Sequence, residues 1–129
     1  MLVYDKIEFL FDNLVINNRQ SLLKILGISS DIIVNDGPYF QKETRRNRGC
    51  QIDYLIQTKS NELYVIEVKF SRRELSKSII GEMKRRIDAL IKPKHTAIRP
   101  VLIHINGVSE ETLEDYYFYQ IIDFTMLLN

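Results

Sequence analysis

Asp53, Glu67 and Lys69 are the residues whose types and spacing offer chemistry. They lie on two segments, 50–57 and 63–70, rich in β-branched and aromatic residues and separated by the polar run Thr58-Lys59-Ser60-Asn61-Glu62. That pattern is a strand pair joined by a hairpin loop. Period-two alternation puts Gln51, Asp53, Leu55 and Gln57 on one face of the first strand, with Ile52, Tyr54 and Ile56 on the other. In the second strand Leu63, Val65, Glu67 and Lys69 share a face. A hairpin symmetric about its loop sets Asp53 directly across from Glu67, Cβ atoms about 5 Å apart, with Lys69 one step along.

Two carboxylates opposed in mid-sheet repel each other, and something must offset that cost. Two answers are open. Lys69 can satisfy both acids as a salt-bridged cluster without metal. Alternatively a divalent cation does so, because one or two carboxylates suit magnesium, which keeps coordination positions for water and phosphate. A lysine beside such a site can stabilise charge developing on a phosphoryl group. The charge around the hairpin favours the second answer.

The formal net charge is only +1, but it is segregated. Residues 37–105 hold 15 basic residues against seven acids, whereas residues 106–129 hold five acids and no base. The basic residues fall in two groups. One is Lys42, Arg45, Arg46 and Arg48 before the hairpin, and the other runs from Lys69 through Arg72, Arg73, Lys84, Arg85 and Arg86 to Lys92. A polyanion bound to such a surface releases counterions, the usual origin of sequence-independent nucleic-acid affinity.

The elements that must position these residues can be read from periodicity. Residues 4–26 carry apolar side chains at spacings of three and four, a helix with a break near Asn17-Asn18 and a stop at Gly27. Ile32-Ile33-Val34 predicts a short strand ended by the turn-forming run Asn35-Asp36-Gly37-Pro38, with an extension through Tyr39-Phe40-Gln41 left open. After the hairpin, Ser71 and Glu74 have the spacing of a capping box. The helix they would start carries Leu75, Ile79, Met83, Ile87, Leu90 and Ile91 on one face. Residues 101–105 predict an apolar strand and residues 119–124 a last one.

The quoted residues resemble the PD-(D/E)XK phosphodiesterase superfamily, the restriction-endonuclease-like proteins. The match rests on Gln51-Ile52-Asp53 and Glu67-Val68-Lys69 across a polar loop, with a helix before and after. More narrowly, residues 48–57 and 63–71, with residues 11–15 and 100–104, resemble the C-terminal domain of archaeal-type prokaryotic AAA ATPases. Ile52 replaces the proline of the superfamily name, and no ATPase module occurs in the chain. A fragment, a stand-alone relative and the remnant of a decayed gene all remain open.

The resemblance implies an α/β fold with an αβββαβ core, a central mixed sheet flanked by helices, formed by residues 1–129 as a single domain. It implies a metal-dependent nuclease that hydrolyses nucleic-acid phosphodiester bonds. Asp53, Glu67 and the Val68 carbonyl would hold Mg2+, with Mn2+ as a second choice, and Lys69 would be the catalytic lysine. Asp12 would be the first-helix acid, with Glu8 in reserve. Arg45, Arg46, Arg48, Arg72, Arg73, Arg85 and Arg86 would contact phosphates, DNA being favoured over RNA. The alternative is a module that binds nucleic acid or protein without catalysis, working with a separate ATPase. A homodimer stays open.

Other classes are excluded or disfavoured. Cys50 is the single cysteine, so there is no internal disulfide and no multi-cysteine zinc site. No Gly-rich phosphate loop of the Gly-x-x-x-x-Gly-Lys-Ser/Thr type occurs. No apolar run approaches the roughly 20 residues that span a bilayer, and no secretory signal is visible, so the expectation is a cytoplasmic protein without a membrane role. His104 reads as a structural histidine and the aromatic run 116–119 as core.

Overall fold

The hairpin is the centre of a five-stranded sheet in a computed structural model that describes residues 10 and 12–128. The strands are β1 (Ile33–Gln41), β2 (Cys50–Thr58), β3 (Glu62–Lys69), β4 (Ala97–His104) and β5 (Gln120–Asp123). They lie in chain order across the sheet, antiparallel from β1 to β3 and parallel from β3 to β5. Helices α1 (Arg19–Leu26) and α2 (Ser78–Ala89) cover opposite faces, and the short α3 (Glu110–Asp115) precedes β5. This is the α/β mixed sheet with flanking helices that the motif implied.

Each face has its own core. Leu22, Leu23 and Leu26 of α1, with Val15, pack on Tyr54, Ile56, Tyr64, Ile66, Val68, Val101 and Ile103. On the other face Ile79, Ile80 and Met83 of α2 pack on Ile52, Leu63, Val65 and Leu102. Leu63 to Val68 are all buried, as expected for a central strand covered on both sides. Fully burying side chains of this size stabilises by about 1.5–3 kcal/mol each, which holds β3 rigidly beneath its charged end.

Residues 12–17 are helical, and the chain breaks at Asn18 before α1, as the sequence suggested. The Asn18 side chain donates to the Leu14 carbonyl there (2.7 Å). Gly27 closes α1 in the left-handed conformation, φ +70°, where glycine carries no Cβ penalty.

Three expectations fail for physical reasons. First, Asn35-Asp36-Gly37-Pro38 does not end β1; the extension through Tyr39-Phe40-Gln41 holds instead, with two irregularities in its pairing to β2. β1 is an edge strand, where a proline costs no ladder bond. Second, no helix starts at Ser71, whose hydroxyl accepts from the Arg73 N–H (3.2 Å). The Leu75 backbone is taken instead by Gly107 and Ser109 (2.9 and 2.8 Å), so α2 starts at Ser78. Third, Ile52 does not share a face with Tyr54 and Ile56. It joins the α2-side core, because β2 has one residue more than β1 between the pairs Tyr39–Ile52 and Gly37–Leu55. β4 also starts earlier than expected, at Ala97, and residues 110–115 of the acidic stretch are helical, capped by the Ser109 hydroxyl.

Candidate active site

The extra residue in β2 falls at Asp53-Tyr54, where it redirects the side chains. Bulges bend a strand and re-aim what it carries. The β2–β3 ladder runs with the predicted register from Gln57–Leu63 to Tyr54–Ile66 and stops there. Beyond it the Asp53 carboxylate takes over from the backbone: Oδ2 accepts the Val68 N–H at 2.8 Å. Asp53 is therefore tied to the strand that carries Glu67.

Glu67 is nearly inaccessible, its side chain 2% exposed. Burial in the first place, and the Asp53 charge in the second, push its pKa up to about 8. Asp53 is raised as well, chiefly by burial, against the pull of the Val68 N–H, Arg86 and Lys69. Asp53 and Glu67 are not paired across the ladder as loop symmetry predicted, but each acid feels the other in a partly dry setting, and both favour any positive charge brought to them.

The positive charge in direct contact with Glu67 is Arg86, with Lys69 acting from farther off. From α2, Arg86 Nη1 donates to Glu67 Oε1 at 2.8 Å and to the Gln51 carbonyl at 3.1 Å. Lys69 sits 3.5 Å from Glu82, one helical turn before Arg86. Sequence reasoning placed Arg86 among the phosphate contacts and did not single out Glu82. Their four-residue spacing on the apolar stripe of Ile79 and Met83 was the available signal.

The other candidates distribute as follows. Asp12 and Asp53 line one cleft of about 280 Å³, with Phe40 largely exposed beside them. Glu8 lies outside the described residues. Arg48, Arg85 and Arg86 line a second cleft of about 460 Å³, which also meets Gln51 and Glu82. Arg48 pairs there with Asp88 (2.7 Å). Arg45 and Arg46 are exposed on the loop before β2, and Arg72 and Arg73 are exposed after β3. His104 accepts the Gly107 N–H (3.2 Å), a structural role. In the aromatic run Phe118 is buried and Tyr116 exposed.

Among the described residues no three His, Cys, Asp or Glu side chains converge closely enough to hold a metal. The donors at the end of β3 are two carboxylates and nearby backbone carbonyls, all hard oxygens. That set fits magnesium or manganese, which bind through one or two carboxylates, and it fits the soft-ligand metals poorly.

No family model and no curated protein sequence matches the chain. Two solved structures do. One is a repair endonuclease from Pyrococcus abyssi, at 19% identity and a TM-score of 0.54, covering 92% of this chain and 46% of that one. The other is EndoMS in a complex with double-stranded DNA, at 15% identity and a TM-score of 0.51, covering 94% of this chain and 44% of that one. The chain thus spans less than half the length of either neighbour, and what it shares with these endonucleases is their fold.

Proposed function

We propose that this protein is a metal-dependent nuclease that hydrolyses nucleic-acid phosphodiester bonds. One observation carries the reading: a buried carboxylate, Glu67, and a half-buried one, Asp53, electrostatically coupled at the frayed end of the β2–β3 ladder, where Asp53 Oδ2 is tied to the Val68 N–H. Like charges set close together in a dry setting cost stability unless a positive charge answers them, and a cation site gives such a pair a use. The fold shared with endonucleases is in keeping with it.

Asp53 and Glu67 would hold Mg2+ or Mn2+, with the Val68 carbonyl and Asp12 as further candidates. A divalent cation supplies Lewis-acid stabilisation of phosphoryl charge when bound. The chain's own residues do the rest. Asp53, fixed by the Val68 N–H, keeps its carboxylate aimed past the end of the ladder. Lys69, steadied by Glu82, places a positive charge where negative charge grows in the transition state. Arg48 and Arg85 in the neighbouring cleft and the exposed Arg45, Arg46, Arg72 and Arg73 would hold phosphates without reading sequence. DNA is favoured as substrate, in keeping with the DNA complex formed by one neighbour.

A labelled panel of single- and double-stranded DNA and RNA, incubated with Mg2+, Mn2+ or chelator, tests this. Metal-dependent cleavage should appear and should vanish in Glu67→Gln, whose amide is a poorer cation ligand. The second reading is a non-catalytic binding module acting with a separate ATPase. The Arg86–Glu67 pair favours it, since that pair answers the Glu67 charge without a cation. Nucleic-acid binding with no cleavage under any metal would establish it in place of the first.

A further inference from the structure

We infer that Arg86 is a resident counter-ion at the carboxylate pair, which a divalent cation must displace in order to bind. The inference rests on the metal-site reading above and concerns how that site is kept when metal-free. Its guanidinium reaches Glu67 Oε1 at 2.8 Å and the Gln51 carbonyl at 3.1 Å, spanning the two strands that carry the acids. Glu67 has no other cation within ion-pair distance among the described residues. Arg86 therefore occupies the electrostatic position that a metal would take.

Arg86 also has somewhere to go. Its side chain is 34% exposed and lines the cleft of about 460 Å³ shared with Arg48 and Arg85. A guanidinium released from Glu67 joins Arg85 and the Asp88-paired Arg48 in that cleft, where three arginines outnumber the Glu82 carboxylate and suit a phosphate oxyanion. Cation at the carboxylates and phosphate in the cleft then support each other through one side chain. Any such coupling is reciprocal: a ligand that draws Arg86 away raises cation affinity by the same factor that the cation raises its own.

The test is binding, not turnover. Mg2+ is titrated calorimetrically into wild type, Arg86→Gln, Arg86→Lys and Glu67→Gln. Removing a charge-assisted competitor should tighten Mg2+ binding about tenfold in Arg86→Gln, with Arg86→Lys falling between. In wild type, the Arg86 side-chain Nε–Hε signal should shift as Mg2+ saturates, which keeps the test decisive should a variant fail to fold. Unchanged or weaker binding in Arg86→Gln, with binding lost in Glu67→Gln, would overturn the inference and leave the metal site standing. No binding in wild type or Arg86→Gln would overturn both.

Discussion

Replacing Asp53 by Asn and by Ala separates what this residue does for the fold from what it does for a cation. Both substitutions remove the charge, so the relief felt by Glu67 cancels between them. They differ at the Val68 N–H, which donates to Asp53 Oδ2 at 2.8 Å on a residue only 3% exposed. Asparagine keeps a carbonyl oxygen at that place, whereas alanine leaves a buried donor with no acceptor. Leaving such a group unsatisfied costs about 1–3 kcal/mol. Asp53→Ala should therefore be less stable than Asp53→Asn by about that amount, a Tm gap of roughly 4–12 °C for a chain of this length. Urea unfolding gives the free energies, and amide exchange at Val68 locates the effect. Exchange there should be faster in Asp53→Ala and near wild type in Asp53→Asn. Both variants should fail to bind Mn2+. Equal stability with equal protection at Val68 would refute the assigned bond. Retained Mn2+ binding in both would refute Asp53 as a ligand.

Other outcomes follow from the charges. Arg19 makes two hydrogen bonds to Asp36 (2.6 and 3.2 Å), Tyr54 donates a third (2.5 Å), and Arg19 is the leading cause that holds the Asp36 carboxyl below its usual 3.8. A lowered carboxylate pKa stabilises above the unfolded value and loses that contribution as pH falls through the folded one. Asp36→Asn should thus be about 1 kcal/mol less stable at neutral pH, and its stability should converge on wild type as the medium drops below 3.8; parallel curves would exclude the pairing. Nucleic-acid affinity should fall steeply with salt. Arg46→Glu and Arg85→Glu should each weaken all sequences alike and reduce the salt slope by about one, and a salt-independent affinity measured by fluorescence anisotropy would dismiss the phosphate-tracking surface.

The central hairpin was legible in the sequence because alternation, loop chemistry and the buried run of β3 all agree there. The register from Gln57–Leu63 to Tyr54–Ile66 follows from loop symmetry alone. What alternation could not supply is the extra residue at Asp53-Tyr54. A bulge is set by the pairing with β1, which alternation within β2 does not report. The start of α2 was hidden for a similar reason. Ser71 and Glu74 satisfy the local rule for a cap, but Leu75 is captured by backbone groups over 30 residues away. The partner of Glu67 was hidden too, since choosing Arg86 over Lys69 requires knowing which turn of α2 lies over β3.

That choice is itself dictated by topology. β3 and β4 are parallel, so α2 must run back across the sheet as the crossover between them. Advancing along β3 from Glu67 to Lys69 means retreating along α2 from Arg86 to Glu82, and the observed pairs cross in that sense. The distances match as well. Two strand residues advance about 6.6 Å, and four helical residues advance about 6 Å, so both pairs can close at once. A slip of α2 by one residue would turn Arg86 and Glu82 by about a quarter-turn and break both. The charges around the carboxylate pair are thus held in place by the apolar contacts of Ile79, Ile80 and Met83 on neighbouring turns of the same helix. The placement of these charges and the core packing are set by a single register.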